Sequence, residues 1–254
     1  MRKVLTGRTK PAIFMCEDEG GTNAGEFVVK FKAGTEAGVT GLACELIAAA
    51  LADKLGLMTP NPAIVDLDPT IGELLSERDS DVAAIISKSP GLNYGSQVLI
   101  GGYGVIPIQK RIPDSIRALA AEVFAFDALI QNPDRKVHNQ NLLWKGNEIF
   151  LIDHELAFSF LYAIGASVNS WEVRGDMGDF LNEHVFYREL KGQEIDLSRF
   201  LEALQATSDE DIDDLFDQLP TEWNNSSVFR IHGHLGDVRD HAEEFINQVE
   251  WRLA

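Results

Sequence analysis

The sequence predicts an α+β chain in two lobes, a small strand-rich N-terminal lobe followed by a mostly helical C-terminal one. Three observations carry this. Short apolar runs at strand spacing crowd before Leu67, around a single helical stretch. A glycine-rich run, PGLNYGSQVLIGGYG from Pro90 to Gly104, then interrupts the chain. From Ser115 onward apolar residues return mainly at helical spacing, with one short pair of strands. With 254 residues and 45% hydrophobic content there is material for one large core. The expectation is a single domain over 1–254, with lobes near 1–104 and 105–254.

Pro11 to Cys16 and Glu26 to Lys32 read as strands, and the turn-rich DEGGTNAG between them closes a hairpin. LACELIAAALADKLGL follows as a helix. Leu42, Leu46, Ala49 and Ala50 share one apolar face, and Gly56 supplies the stop. TPNP breaks the chain before a strand at Ala63 to Leu67. Asp66 to Ser89 is mixed and reads as a short helix with exposed charges. Pro90 to Gly104, with five glycines, reads as a flexible loop or a tight set of turns at the lobe boundary. Ser115 to Gln131 is a strongly apolar helix ended by Asn132-Pro133. Two short strands, Leu142 to Trp144 and Ile149 to Ile152, flank a Lys145-Gly146-Asn147 turn. From Asp179 onward the chain reads as helical. Leu197–Leu204, Ile212–Leu219 and Val238–Trp251 are amphipathic, with acidic polar faces.

Composition narrows the function classes. There are 22 Lys and Arg against 40 Asp and Glu, a net charge of −18. Such a chain repels phosphate backbones, so direct nucleic-acid binding is not expected, although a nucleotide in a pocket is compatible with it. Cys16 and Cys44 sit in apolar surroundings and read as reduced core thiols. MRKVLTGRTK has no apolar run after its basic residues, so no signal peptide is expected. No apolar stretch approaches 18 residues, so no membrane span is expected, and the expected location is the cytoplasm.

Four features then form one chemical set. Lys30 lies in the strand FVVKF and faces inward or into a cleft on strand alternation. An inward ammonium requires an anionic partner. Glu45 stands alone among Leu42, Ala43, Cys44, Leu46 and Ile47 on the next helix, which makes it that partner. The loop after the Ser115–Gln131 helix holds Asp134, Arg135, Asn139 and Asn141. Asp153 ends the Ile149–Ile152 strand. Phosphoryl transfer from ATP asks for these groups. A strand lysine held by a helix glutamate grips the phosphates, a loop aspartate orients the acceptor hydroxyl, and an asparagine with a second aspartate holds Mg²⁺. The hairpin NLLWKGNEIFLID brings Asn141, where it begins, beside Asp153, where it ends. Arg135 reads as structural.

FVVKF, ELIAAALADKLGL, PGLNYGS, NPDRKVHNQNLL and FLIDHELAF, in this order over roughly residues 11 to 160, resemble the HipA-like kinase family. These are distant relatives of eukaryotic-type protein kinases and phosphoinositide 3-kinases. The resemblance implies a two-lobed protein-kinase-like fold with ATP between the lobes. It implies Asp134 as catalytic-loop aspartate, Lys30 as phosphate lysine and Asp153 as metal aspartate. The usual spacing puts the metal asparagine five residues after the loop aspartate, at Asn139. Alignment on the following NLL selects Asn141, which is preferred while both stay open. The adenine contacts are expected within Pro60–Ile112. The segment after Asp153 reads His-Glu-Leu where protein kinases have Phe-Gly, and no Ala-Pro-Glu follows. The glycines of DEGGTNAG suit a phosphate loop, but Asp18 and Glu19 do not.

By resemblance the reaction is transfer of the γ-phosphate to a Ser or Thr hydroxyl of a protein substrate. A small-molecule kinase and a nucleotide-binding pseudokinase that regulates another protein are the alternatives. The family also implies an antitoxin-like protein as a possible partner. HGHLGDVRDH offers a rival chemistry: His232, His234 and His241 with Asp237 and Asp240 could ligate zinc, against the simpler reading of an exposed loop leading into the last helix. The four tryptophans, Trp144, Trp171, Trp223 and Trp251, read as core.

Overall fold

The structure, a computed structural model, describes residues 1, 3–5, 9–68, 70–75, 80–107, 111–163, 169–173 and 175–254. The N-terminal lobe is built on a five-stranded antiparallel sheet. Its strands are β1 (Lys3–Val4), β2 (Ala12–Glu17), β3 (Asn23–Lys30), β4 (Pro62–Leu67) and β5 (Gly91–Gln97), in the spatial order β1-β2-β3-β5-β4. β2 and β3 form the expected hairpin, with Ile13 opposite Val28 and Ala12 opposite Val29. One sheet face closes a small core in which Phe14, Phe27, Val29 and Phe31 meet Val82, Ala83 and Ile86.

Between β3 and β4 lies α1 (Val39–Lys54). The sequence suggests a helix with one apolar face. Instead nearly the whole of Gly41–Ala52 is buried, because α1 is enclosed by both lobes. Its C-terminal Lys54 pairs with Asp211 of the helical lobe, and Thr40 accepts from Asn225 Nδ2 at 3.1 Å. Gly56 ends the helix at φ +74°. Just beyond, Met58 O accepts from Leu151 N at 2.8 Å and joins the segment to the C-terminal hairpin.

Asp66–Ser89 holds two short helices, α2 (Thr70–Leu75) and α3 (Ser80–Ser87); residues 69 and 76–79 of that stretch lie outside the described residues. The glycine-rich run is corrected by the structure. Gly91–Gln97 is neither a loop nor a set of turns but β5, paired with β3 on one side and β4 on the other. Gly95 is required there by packing. A Cβ on it would meet Val65 Cγ2 at 2.7 Å.

The C-terminal lobe opens with a 3-10 turn (Asp114–Ile116) and α4 (Arg117–Leu129), whose last ten residues are all buried. The β6 (Leu142–Lys145) and β7 (Glu148–Leu151) hairpin follows as expected. Four further helices complete the lobe in the sequence-expected region: α5 (Tyr187–Leu190), α6 (Ser198–Ala206), α7 (Asp209–Asp217) and α8 (Ser226–Asp240). A fifth, α9 (Ala242–Leu253), ends it. Ser208 and Asp211 form a reciprocal capping box on α7, and Asn225 caps α8. Val238–Trp251 is not one helix, since it breaks at His241. HGHLGDVRDH is not a loop either, because most of it lies inside α8. Trp223 is core, but Trp251 is exposed and Trp171 stacks on His241 with ring centroids 3.5 Å apart. Cys44 is buried as expected, Cys16 is half-buried, and both are free thiols. Among the described residues no helix is long and apolar enough to cross a membrane.

The Gly95 contact generates a test. Gly95→Ala should destabilise the protein by about 1–3 kcal/mol through overpacking between β4 and β5, read as a lower urea midpoint. An unchanged midpoint would mean that the glycine is dispensable in the strand.

Candidate active site

A cleft of about 620 Å³ lies between the sheet and the β6–β7 hairpin. Every sequence-nominated site residue lines it: Lys30, Glu45, Asp134, Asn139, Asn141 and Asp153. Arg135 lies beneath, fully buried.

Lys30 ends β3 opposite Tyr94 of β5. Its Nζ pairs with Glu45 Oε1 and with Asp153 Oδ1, the latter at 2.5 Å. Burial alone would push the ammonium toward neutrality, but the two carboxylates outweigh it and raise its pKa. Burial also works against the charge on Asp153, yet Lys30 prevails and holds it below the usual carboxylate range. Glu45, on α1, is fully enclosed and has no such solvent outlet, so burial pushes it up while Lys30 opposes. Its other oxygen, Oε2, accepts the backbone N–H of His154 at 2.9 Å. One buried carboxylate therefore fixes both the lysine and the chain directly after Asp153.

The same cleft is lined by the loop after α4. Asp134 Oδ2 accepts from Asn139 Nδ2 at 2.8 Å and from Asn141 Nδ2 at 2.9 Å. Both asparagines thus spend their amide nitrogens on Asp134, which leaves their carbonyl oxygens as the ends available to a cation. Asn139 is exposed, whereas Asn141 is buried where β6 begins. Asn141 (φ +48°) and Asp153 (φ +62°) both adopt the left-handed region. For residues other than glycine this conformation is held only by surrounding contacts. The contacts here come from Arg135, whose Nη1 donates to Asn141 O and, at 3.4 Å, to Ile152 O. Ile152 N donates to Asn141 O at 3.1 Å, which sets Asn141 one register step from Asp153.

Arg135 is held by Asp127 of α4, which also accepts from Asn132 Nδ2 at 3.0 Å. His184 completes the cluster. Phe186 N donates to His184 Nδ1 at 3.1 Å, so the proton sits on Nε2 and is donated to Asp127 Oδ2 at 2.9 Å. Burial holds this imidazole below its ordinary value. Burial opposes the charge on Asp127, but Arg135 and His184 hold it at about 2.

A hard divalent cation with oxygen ligands fits this arrangement. Asp153 turns Oδ1 to Lys30 and remains 42% exposed on its side chain, and the asparagine oxygens share the cleft. A zinc-type centre at the second histidine group is not assembled. His232 pairs with Asp213 at 2.7 Å, His234 is buried against Leu129 O at 2.7 Å, and His241 bonds Asp237 O while stacking on Trp171.

The sequence does not single out Asp127 or His184 of the buried Arg135 cluster, nor three further participants nearer the cleft. His154 is buried and kept neutral, its value pushed to about 3 by burial and by Arg135. Glu155 Oε1 accepts Glu36 N at 2.8 Å and ties the segment after Asp153 to the approach to α1. Gln140 clasps Ile106 through both of its amide atoms, at 2.8 and 2.7 Å. The His-Glu departure after Asp153 was the available signal for the first two. The DEGGTNAG turn does not line the cleft, and the Asp18 carboxylate occupies the Gly20 and Thr22 N–H groups. Leu5, Thr9 and Pro11, between β1 and β2, line it instead.

The comparisons with known proteins agree with this architecture. The family model described as HipA-like kinase matches residues 1–252. None of the curated proteins is significantly similar to the chain. Among solved structures, the chain resembles the crystal structure of a Helicobacter pylori proinflammatory kinase, CtkA. That match has a TM-score of 0.54 at 13% identity and covers 99% of this chain and 93% of that one, a likeness of fold.

The Asp127 cluster generates a prediction. Asp127→Asn strands the buried Arg135 charge and should cost about 3–5 kcal/mol in chemical denaturation. Because Asp127 is depressed in the fold from an ordinary 3.8, its contribution is present above that value and lost as pH falls through about 2. The wild-type stability should therefore fall across that acid window more steeply than the variant's. Parallel curves would remove the charge from the explanation.

Proposed function

The chain belongs to the HipA-like kinase family, and on that premise we propose that it is an ATP- and Mg²⁺-dependent phosphotransferase acting on Ser or Thr hydroxyls of a protein. The observation that carries this reading is Lys30 bridged between Glu45 and Asp153, with Asp134 and its two asparagines in the same cleft. We read residues 1–254 as one kinase-like domain whose lobes meet near residues 104 and 105, with the nucleotide between them.

Lys30 would hold the nucleotide phosphates, with Glu45 keeping its ammonium in place. Asp153 and Asn141 would hold the metal ion. Asn141 is preferred to Asn139 because it is buried and one register step from Asp153. The ion, when bound, neutralises charge on the transferring phosphoryl group. Asp134 would orient the acceptor hydroxyl and take its proton. The adenine would lie between Ile13 and Val28 above and Leu143 and Leu151 below, all of which line the cleft. Among the described residues the main chain of Leu99, also lining it, makes no hydrogen bond and is free to meet the base. Family membership is consistent with an antitoxin-like partner.

The test follows from the division of labour. ATP with Mg²⁺ at a hundred times its Kd should add about 2.7 kcal/mol of stability, visible as a raised Tm. Asp153→Asn should weaken the Mg²⁺-dependent part of that shift. Asp134→Asn should leave nucleotide affinity nearly intact and slow transfer to protein substrate, or to the chain itself, on the order of a hundredfold or more. A folded Asp134→Asn protein that transfers phosphate at the wild-type rate would refute the assignment of the loop. A protein with no nucleotide-dependent shift would refute the assignment of the cleft.

A further inference from the structure

A second cavity, of about 390 Å³, opens near the start of α4. Arg111, Arg117 and Arg188 line it, together with Asp114, Glu189 and Gln193. In a chain of net charge −18, three arginines at one concavity are unexpected. Most described cations are neutralised by a neighbour: Lys10 by Asp81, Lys54 by Asp211, Lys136 by Glu183, Arg199 by Glu122 and Arg239 by Asp209. Arg117 is likewise paired, with Asp114. Arg111 and Arg188 differ. Among the described residues neither makes a hydrogen bond or an ion pair, although carboxylates outnumber cations in the chain. Both are exposed. α4, at 13 residues, spans roughly 20 Å and separates this cavity from the loop that carries Asp134.

We propose that this cavity is a binding site for a phosphate monoester, with Arg111 and Arg188 as its two guanidinium clamps. A guanidinium presents paired N–H donors that match two phosphate oxygens, and two of them balance a dianion. Glu189 and Gln193 line the same cavity, and their carboxylate and amide oxygens would accept N–H groups from whatever carries the ester. Glu189 also disfavours a bare anion. That balance suits a phosphorylated Ser or Thr, whose own peptide N–H groups meet Glu189 and Gln193, better than free phosphate. The assignment stands independently of the chemistry proposed for the cleft.

The test is calorimetric titration of the full chain, with no nucleotide present, using a blocked phosphoserine tripeptide, its unphosphorylated form and inorganic phosphate. Saturable binding of the phosphopeptide alone is expected. In the Arg111→Gln, Arg188→Gln double variant affinity should fall at least about tenfold, the scale of losing charge-assisted hydrogen bonds. Arg188→Lys, which keeps the charge but not the paired donors, should fall between. Both arginines are exposed and unpaired, so the melting temperature should stay unchanged; if the double variant does unfold, Arg188→Gln alone decides by the same titration. Binding of inorganic phosphate without the peptide would support the anion site and assign its ligand to small phosphorylated molecules. Absence of saturable binding by either, equal binding of the unphosphorylated peptide, or undiminished binding by the variants would overturn the proposal.

Discussion

A buried ammonium shared by two carboxylates is the constraint from which the rest of this structure follows. Lys30 comes from the sheet, Glu45 from α1 and Asp153 from the end of the β6–β7 hairpin. An uncompensated charge in that position would carry a large desolvation cost, so the three elements must be held together. Glu45 does more than neutralise. By also accepting the His154 N–H it fixes the backbone immediately after Asp153, and so the direction in which that carboxylate points. The burial of α1 on nearly all sides is the packing counterpart of this demand. A helix that must keep one acid between two lobes is packed by both, against β4 and β5 of the sheet and, through Lys54 and Asp211, against the helical lobe.

The second charge centre mirrors the first with its signs exchanged. There a buried carboxylate, Asp127, holds a buried guanidinium, and His184 and Asn132 take up its remaining acceptor capacity. Arg135 reaches across the open end of the hairpin to the carbonyls of Asn141 and Ile152. Those residues flank or adopt the left-handed backbone at positions 141 and 153. The strained conformations and the buried charges thus belong to one device. Contacts from an arginine anchored in α4 hold the backbone where it presents Asn141 and Asp153 to the cleft, and α4 is itself buried over its last ten residues.

How much of this was legible depended on the range of each interaction. The β2–β3 hairpin, the helix around Glu45 and the β6–β7 hairpin were readable because each is specified by neighbours in the chain. Turn residues flank alternating apolar runs, and a lone acid or base in an apolar setting demands a partner. Lys30 and Glu45 can be matched for that reason, being separated by one loop and the first turns of α1. The second partner of Lys30 lies 123 residues away, and nothing local to Asp153 indicates that it meets a lysine. Asp127 was equally silent within the apolar run FAFDAL, although Arg135 eight residues later could be recognised as structural.

β5 is illegible in the sequence for a different reason. Glycine carries no side chain, so a strand containing Gly91 and Gly95 shows no alternation, and only the crowding of Val65 reveals why the side chain is missing. The histidines of α8 offered ligand chemistry on composition, yet His232 meets Asp213, His234 meets the Leu129 carbonyl and His241 meets Trp171. By itself, then, the sequence determined the local elements and which polar residues required partners, because chain-local sterics and the cost of burying charge act at every position. Only the tertiary structure decided which distant partner each one found, since that choice depends on the packing of elements that no local pattern encodes.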